Sequence, residues 1–169
     1  MRVPEFPLVG EPGEWDELTL LAATVFLEGE AEPEEGQAAV AFVVMNRVAA
    51  GWAPTLMAAI LGRDERVHGD ARPYEAFSCW NDDYVARAVA RLSEAPEESR
   101  ERAWKAAARA YWRLSLDPSK GACFYLNVAA TLALRHGTLP AWAADPHDPR
   151  AVNLGKVTEV IGRHTFMRG

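Results

Sequence analysis

At 169 residues, with 49% hydrophobic and 25% charged residues and a mean hydropathy of -0.16, the chain has an ordinary globular composition. It is long enough for one domain that buries roughly two thirds of its unfolded surface. A net charge of -6, a pI near 5.3 and the lack of a basic stripe exclude nucleic acid as a partner, because such binding rests on Lys and Arg neutralising phosphates. No apolar run approaches the roughly 20 residues that span a bilayer, which argues against stable membrane insertion. The two cysteines, Cys79 and Cys123, are too few for a disulfide scaffold and lack the CxxC spacing of a structural zinc site.

Residues 1–13 carry three prolines and read as an irregular lead-in. Acidic residues stand where a signal peptide needs an unbroken apolar core, so no secretion signal is visible. Residues 14–169 read as one domain without internal repeat, low-complexity tract or linker.

The spacing of Leu18, Leu21 and Val25 predicts a helix from about Glu14 to Gly29. Glu28 is the next member of that stripe, whereas Glu30 lies about 200° around the helix. Five glutamates occupy the eight positions from Glu28 to Glu35. Most are explained by helix ends. Gly29 and the Glu32-Pro33 step stop one helix and start another, Pro33 suits the first helical position, and Glu34 and Glu35 favour the positive N-terminal dipole.

The second helix runs to about Ala50, carries Gln37, Val40, Ala41, Val44 and Val48 on one side, and stops at Gly51. "PTLMAAILG" at 54–62 predicts a short helix, followed by a polar loop from Arg63 to about Ser78. Val85, Ala88, Val89 and Leu92 mark another helix. A longer one opens at Pro96, Glu97 and Glu98, carries Trp104, Ala108 and Tyr111 on one face, and closes at Asp117-Pro118.

Beyond that point the pattern changes. "ACFYLNV" predicts a strand after a turn at Gly121, and "KVTEVIGRHTFMR" predicts two short strands around Gly162. Loops rich in proline near Pro140 to Pro149 are expected to wrap the surface. The expected fold is a mainly helical α+β domain with a small antiparallel sheet.

A carboxyl that shares a helix face with leucine and valine loses hydration, which favours the protonated form that a general acid needs. Glycosidases prepare a proton donor in this way. Spacing alone also fits a surface cap at the end of the stripe. Cys79 and Cys123 fit two buried thiols or one disulfide. Asp82 and Asp83 suit a helix N-cap and a first-turn acid. His164 falls in a hairpin, where a structural histidine is expected, and His68, His136 and His147 receive no role.

Residues 28–48, "EGEAEPEEGQAAVAFVVMNRV", resemble the motif of the spore-cortex lytic cell-wall hydrolases of the SleB/CwlJ type. Three further blocks recur in that family's order: "FSCWND" at 77–82, "DPSKGACFYLN" at 117–127 and "IGRHTF" at 161–166. The resemblance covers about residues 17–169. It implies a lysozyme-like domain that cuts peptidoglycan glycan strands at the MurNAc-GlcNAc β-1,4 bond, with the family's catalytic glutamate at Glu28. Helical periodicity singles out the same residue. The single acid fits a lytic transglycosylase, and the reading calls for no cofactor and no metal.

Sugar strands need flat apolar platforms with polar edges. Phe77, Trp80, Tyr125 and Trp142 sit within or beside the family blocks and are candidate platforms, although each also fits a core. Gln37, Ser78 and Asn127 are candidate polar contacts, with Gln37 fitting a buried amide as well. The chain departs from the family where Glu30 replaces the usual arginine, Arg163 a frequent asparagine and Met167 a frequent tyrosine. These departures bear on substrate preference, and Glu30 places a second charge near Glu28.

Two other readings remain open. Cys123 with His164 fits the nucleophile and base of a cysteine peptidase acting on stem peptides, though no convincing helix follows the cysteine to activate it. The other is a non-catalytic glycan-binding or virion structural module. A wall substrate without a visible signal peptide is reconciled by synthesis in the cytoplasm followed by endolysin-like release through a phage holin, by carriage in a virion, or by the chain being a fragment of a longer exported protein.

Overall fold

The computed structural model describes residues 8, 10–62, 77–81 and 84–169; most of the loop expected from Arg63 to Ser78 lies outside them, as do His68, Asp82, Asp83 and most of the lead-in. A 3-10 turn at Pro12–Glu14 precedes the first helix, α1 (Glu17–Gly29), which starts just after Asp16 rather than at Glu14. The cap is the reason. The Asp16 carboxylate accepts from Leu18 N at 3.1 Å and Thr19 N at 3.0 Å, satisfying two amides that a helix start leaves open. Every residue from Leu18 to Phe26 is buried, so α1 is enclosed on all sides, more than its apolar stripe predicts.

In the next helix, α2 (Glu34–Ala49), Pro33 takes the capping position at φ -61° and Glu34 is the first helical residue, one step later than expected. Thr55 caps the short α3 (Leu56–Leu61) by accepting from Ala58 N at 3.1 Å. Two more helices, α4 (Val85–Glu94) and α5 (Glu97–Tyr111), occupy the expected segments. However, α5 ends before Asp117-Pro118. Arg113 turns to φ 51°, and Leu114 N donates back to Arg109 O at 2.8 Å. Asp117 instead builds a turn, accepting from Ser119 N and Gly121 N, both at 2.8 Å, and from Asn46 Nδ2 of α2 at 2.9 Å.

The sheet is antiparallel in the order β1-β3-β2, from β1 (Phe124–Leu126), β2 (Val157–Ile161) and β3 (His164–Met167). Tyr125 pairs with Phe166, and Ile161 with His164. Between β1 and β2 lies α6 (Val128–Leu134), a helix the sequence reading did not expect. Asn127 caps it by accepting from Ala130 N at 3.0 Å.

The main core packs α1 and α2 against α5 and each other, with α3 and α4 flanking α1. Leu20, Leu21, Val25, Phe26, Val40 and Val43 fill it. Small residues at Ala103, Ala106, Ala107 and Ala110 are buried on the α5 side. A second, smaller core of Phe124, Leu126, Leu139, Ala143 and Met167 lies on the other face of β1, since alternate strand residues point to opposite sides. Among the described residues no helix is long and apolar enough to cross a membrane.

Candidate active site

Glu28 lies on the last turn of α1, where the helix emerges half-buried from the core into a cleft of about 830 Å³. The cleft is lined by Leu27 and Glu28, by Ser78 and Cys79 of a 3-10 turn at Ser78–Trp80, and by one face of α4. Trp80 fixes that turn. It is buried, its Nε1 donates to Thr24 Oγ1 on α1 at 2.9 Å, and its ring meets Trp15 edge-on at 5.9 Å. Ser78 and Cys79 are thereby held beside the last turn of α1.

Tyr125 reaches Glu28 from β1, and its hydroxyl donates to Glu28 Oε2 at 2.8 Å. Burial, then the charge and hydrogen bond of Glu28, pushes the Tyr125 phenol well up, so it keeps its proton and remains a donor. Cys79 responds in the same way. Burial, then Glu28, raises its thiol well above the usual range, which favours a neutral S–H hydrogen-bonded to the glutamate over a thiolate nucleophile. Glu28 therefore receives hydrogen bonds from two elements that converge on α1 from different directions.

The position of Tyr125 depends on the sheet behind it. Its ring packs against His164 at 4.9 Å, Phe166 at 5.8 Å and Phe77 at 6.4 Å. Burial holds the His164 imidazole below its usual value; Glu32 opposes that shift and Arg163 adds to it. His164 is thus a neutral packing residue near pH 7, as its hairpin position suggests.

Glu32 clasps the sheet to the helices. Its buried carboxylate, 3% exposed, accepts from Arg163 N at 2.8 Å and Arg163 Nε at 3.1 Å, joining the α1–α2 connection to the β2–β3 turn. Gly162 is required there, because it has φ +57° and a Cβ would sit 2.0 Å from Glu32 Oε2. The sequence reading treated Glu32 only as part of a helix stop. Its position as the third glutamate of the block from Glu28 to Pro33 was the available signal.

A family model described as Cell Wall Hydrolase matches residues 31–167. The chain belongs to the cell wall hydrolase family. Membership makes it an enzyme acting on the peptidoglycan wall. The solved catalytic domain of the Bacillus cereus SleB protein resembles this cell wall hydrolase over 98% of each chain, with 23% identity and a TM-score of 0.54. The shared fold is a lysozyme-like, mainly helical α+β domain with a small antiparallel sheet. No curated protein matches the chain.

Of the residues expected to contact sugar in this cell wall hydrolase, Ser78 lines the cleft beside Glu28. Tyr125 is at the site as a hydrogen-bond donor to the acid, which is a different task from that of a stacking platform. Phe77 and Trp80 are buried, with the Arg47 guanidinium 4.8 Å from the centre of the Phe77 ring. Gln37 is buried where α1 crosses α2, and its Nε2 donates to Glu32 O at 3.4 Å. Asn127 caps α6, and Trp142 stacks on Phe124 at 4.6 Å in the second core. Neither Cys79 nor Cys123 is in a disulfide.

The sequence reading missed Tyr84, at the cap of α4, and Arg87 and Arg91 on it, which face the cleft at a 3, 4 spacing. Tyr84 is 49% exposed at the mouth and supplies the open aromatic surface that Trp80 does not. Glu30, where the family usually has arginine, pairs with Arg91 at 2.5 Å. Its charge is therefore matched locally.

Proposed function

We propose that this cell wall hydrolase cuts glycan strands at the MurNAc-GlcNAc β-1,4 bond as a lytic transglycosylase, with Glu28 as its catalytic carboxyl. The observation that carries this reading is the half-buried Glu28 side chain in the cleft. Tyr125 donates to its Oε2 at 2.8 Å and so holds the carboxyl in place in the cleft. The family match begins at residue 31, beyond Glu28, so the assignment rests on this geometry and on the motif resemblance.

Protonated Glu28 gives its proton to the glycosidic oxygen as the bond from the muramoyl C1 breaks, and GlcNAc leaves with a 4-hydroxyl. The resulting carboxylate, steadied by the Tyr125 hydroxyl, takes the proton from the muramoyl 6-hydroxyl as that oxygen bonds to C1. A 1,6-anhydro ring forms, Glu28 is protonated again, and no water is consumed. One carboxyl serves both steps. Attack of water on C1 with the same acid gives the hydrolytic outcome.

The placement of the cysteines supports the glycan reading over a peptidase. Cys123 packs in the second core, whereas the His164 ring packs with Tyr125 on the other face of the sheet. Mass analysis of muropeptides released from purified peptidoglycan tests the proposal. Anhydromuramoyl ends without new reducing ends are expected. Reducing muramoyl ends would identify water as the nucleophile, and free stem-peptide termini would sink the glycan reading.

A further inference from the structure

The wall of the cleft opposite α1 carries two arginines in different states. Arg91 is committed: it pairs with Glu30 at 2.5 Å, and its guanidinium lies 5.7 Å from the centre of the Phe26 ring. Arg87 stands one turn earlier on the same face of α4, about 6 Å along the axis. It is exposed, lines the cleft, and has no hydrogen bond or ion pair among the described residues. A guanidinium suits a carboxylate, which it can bind through two parallel N–H donors.

The rest of the molecule makes this cation informative. With a net charge of -6, the protein repels an anionic polymer at long range, so an anionic substrate needs a local positive contact. Resting on the glycan-cleaving reading, we infer that Arg87 forms a carboxylate subsite of the cleft and recognises the anionic substituent on the muramoyl unit. That substituent is a free lactyl carboxylate where the strand has lost its peptide and a stem-peptide carboxylate where it retains one. Arg87 selects a charged strand over a neutral one and takes no part in bond cleavage.

The test uses soluble glycan strands, either peptide-bearing or stripped of peptide by an amidase, each with and without coupling of its carboxyls to methylamine. Release of fragments is measured as kcat/KM. Neutralising the carboxyls is expected to cost the wild type roughly five- to tenfold, the scale of one charge-assisted contact. Arg87→Ala should lose the same factor on charged strands through KM and nothing on neutralised ones. Arg87→Lys, which keeps charge without the fork, should fall between, and Arg102→Ala on the exposed side of α5 should match wild type. The strand type that shows the effect identifies the carboxylate. Equal cleavage of charged and neutralised strands by the wild type, or an equal loss by Arg87→Ala on both, overturns the subsite while leaving the glycan reading intact. Failure to cut any strand overturns the subsite together with the glycan reading.

Discussion

Glu28 is set apart from the other four glutamates between Glu28 and Glu35 by what touches it. Glu28→Gln keeps the size and much of the hydrogen bonding of the side chain but cannot deliver a proton. It should abolish dye release from labelled cell walls while the circular dichroism spectrum and glycan binding stay near wild type. Wild-type-like release by that folded variant would sink the mechanism. Tyr125→Phe removes one hydrogen bond to a charged group, worth about 1.5–3 kcal/mol, so activity should fall roughly ten- to a hundredfold with little change in fold. Serine at both Cys79 and Cys123 should leave most activity, because a hydroxyl at 79 still donates to Glu28. Complete loss in a folded double variant would favour thiol chemistry instead. Glu28 was legible because helical spacing places it on the apolar stripe of α1. Its partnership with Tyr125, 97 positions away, was not, because spacing along one element carries no information about what a strand brings from elsewhere.

The connection between α1 and α2 and the turn between β2 and β3 act as one unit through Glu32. Gly162→Ala forces a Cβ to within 2.0 Å of Glu32 Oε2 at a positive φ, and a strained site of this kind costs on the order of 1–3 kcal/mol. A lowered thermal midpoint is expected, with activity lost as the β3 support for Tyr125 loosens; an unchanged midpoint would show that the clasp is slack. Glu34→Gln is the contrasting case. It removes a first-turn charge and an exposed pair with Arg109, each worth at most about 1 kcal/mol, so it should remain active. Elements with a strong pattern were legible: the α2, α4 and α5 segments and the hairpin around Gly162 all appear in the sequence. By contrast, α6 was missed because its seven residues, VAATLAL, are nearly all apolar and too few to show a helical alternation, leaving only the Asn127 cap as a signal. The end of α5 was misplaced because Asp117-Pro118 looks like a helix stop, whereas Arg113 had already turned the chain at φ 51°.

At the scale of the whole molecule, the helical core and the small sheet meet around Tyr125 and His164, so acid should act on stability through that junction. Burial holds the His164 imidazole below its ordinary value of 6.5, with Glu32 pulling it up and Arg163 pushing it further down. In the unfolded chain this histidine takes its proton as the pH falls through about 6.5; in the folded chain it does so only at a lower pH. Between those two values the unfolded state binds more protons. Stability is therefore independent of this residue above about 6.5, falls as the pH drops below it, and stops falling on this account once the folded form protonates too. Glu159, held below its usual 4.5 chiefly by its hydrogen bond from Lys120, adds loss in the same direction but only at lower pH. The midpoint of thermal unfolding should thus decline between pH 7 and pH 5. His164→Phe preserves a ring against Tyr125 and Phe166 and removes the titrating group. It deletes a buried Nδ1 that has no hydrogen-bond partner among the described residues, so the substitution leaves no donor stranded. Its midpoint should be flatter over the same interval, crossing above that of the wild type as the pH is lowered. Parallel curves for the two proteins would place the acid sensitivity at carboxylates elsewhere in the chain and remove His164 from the account.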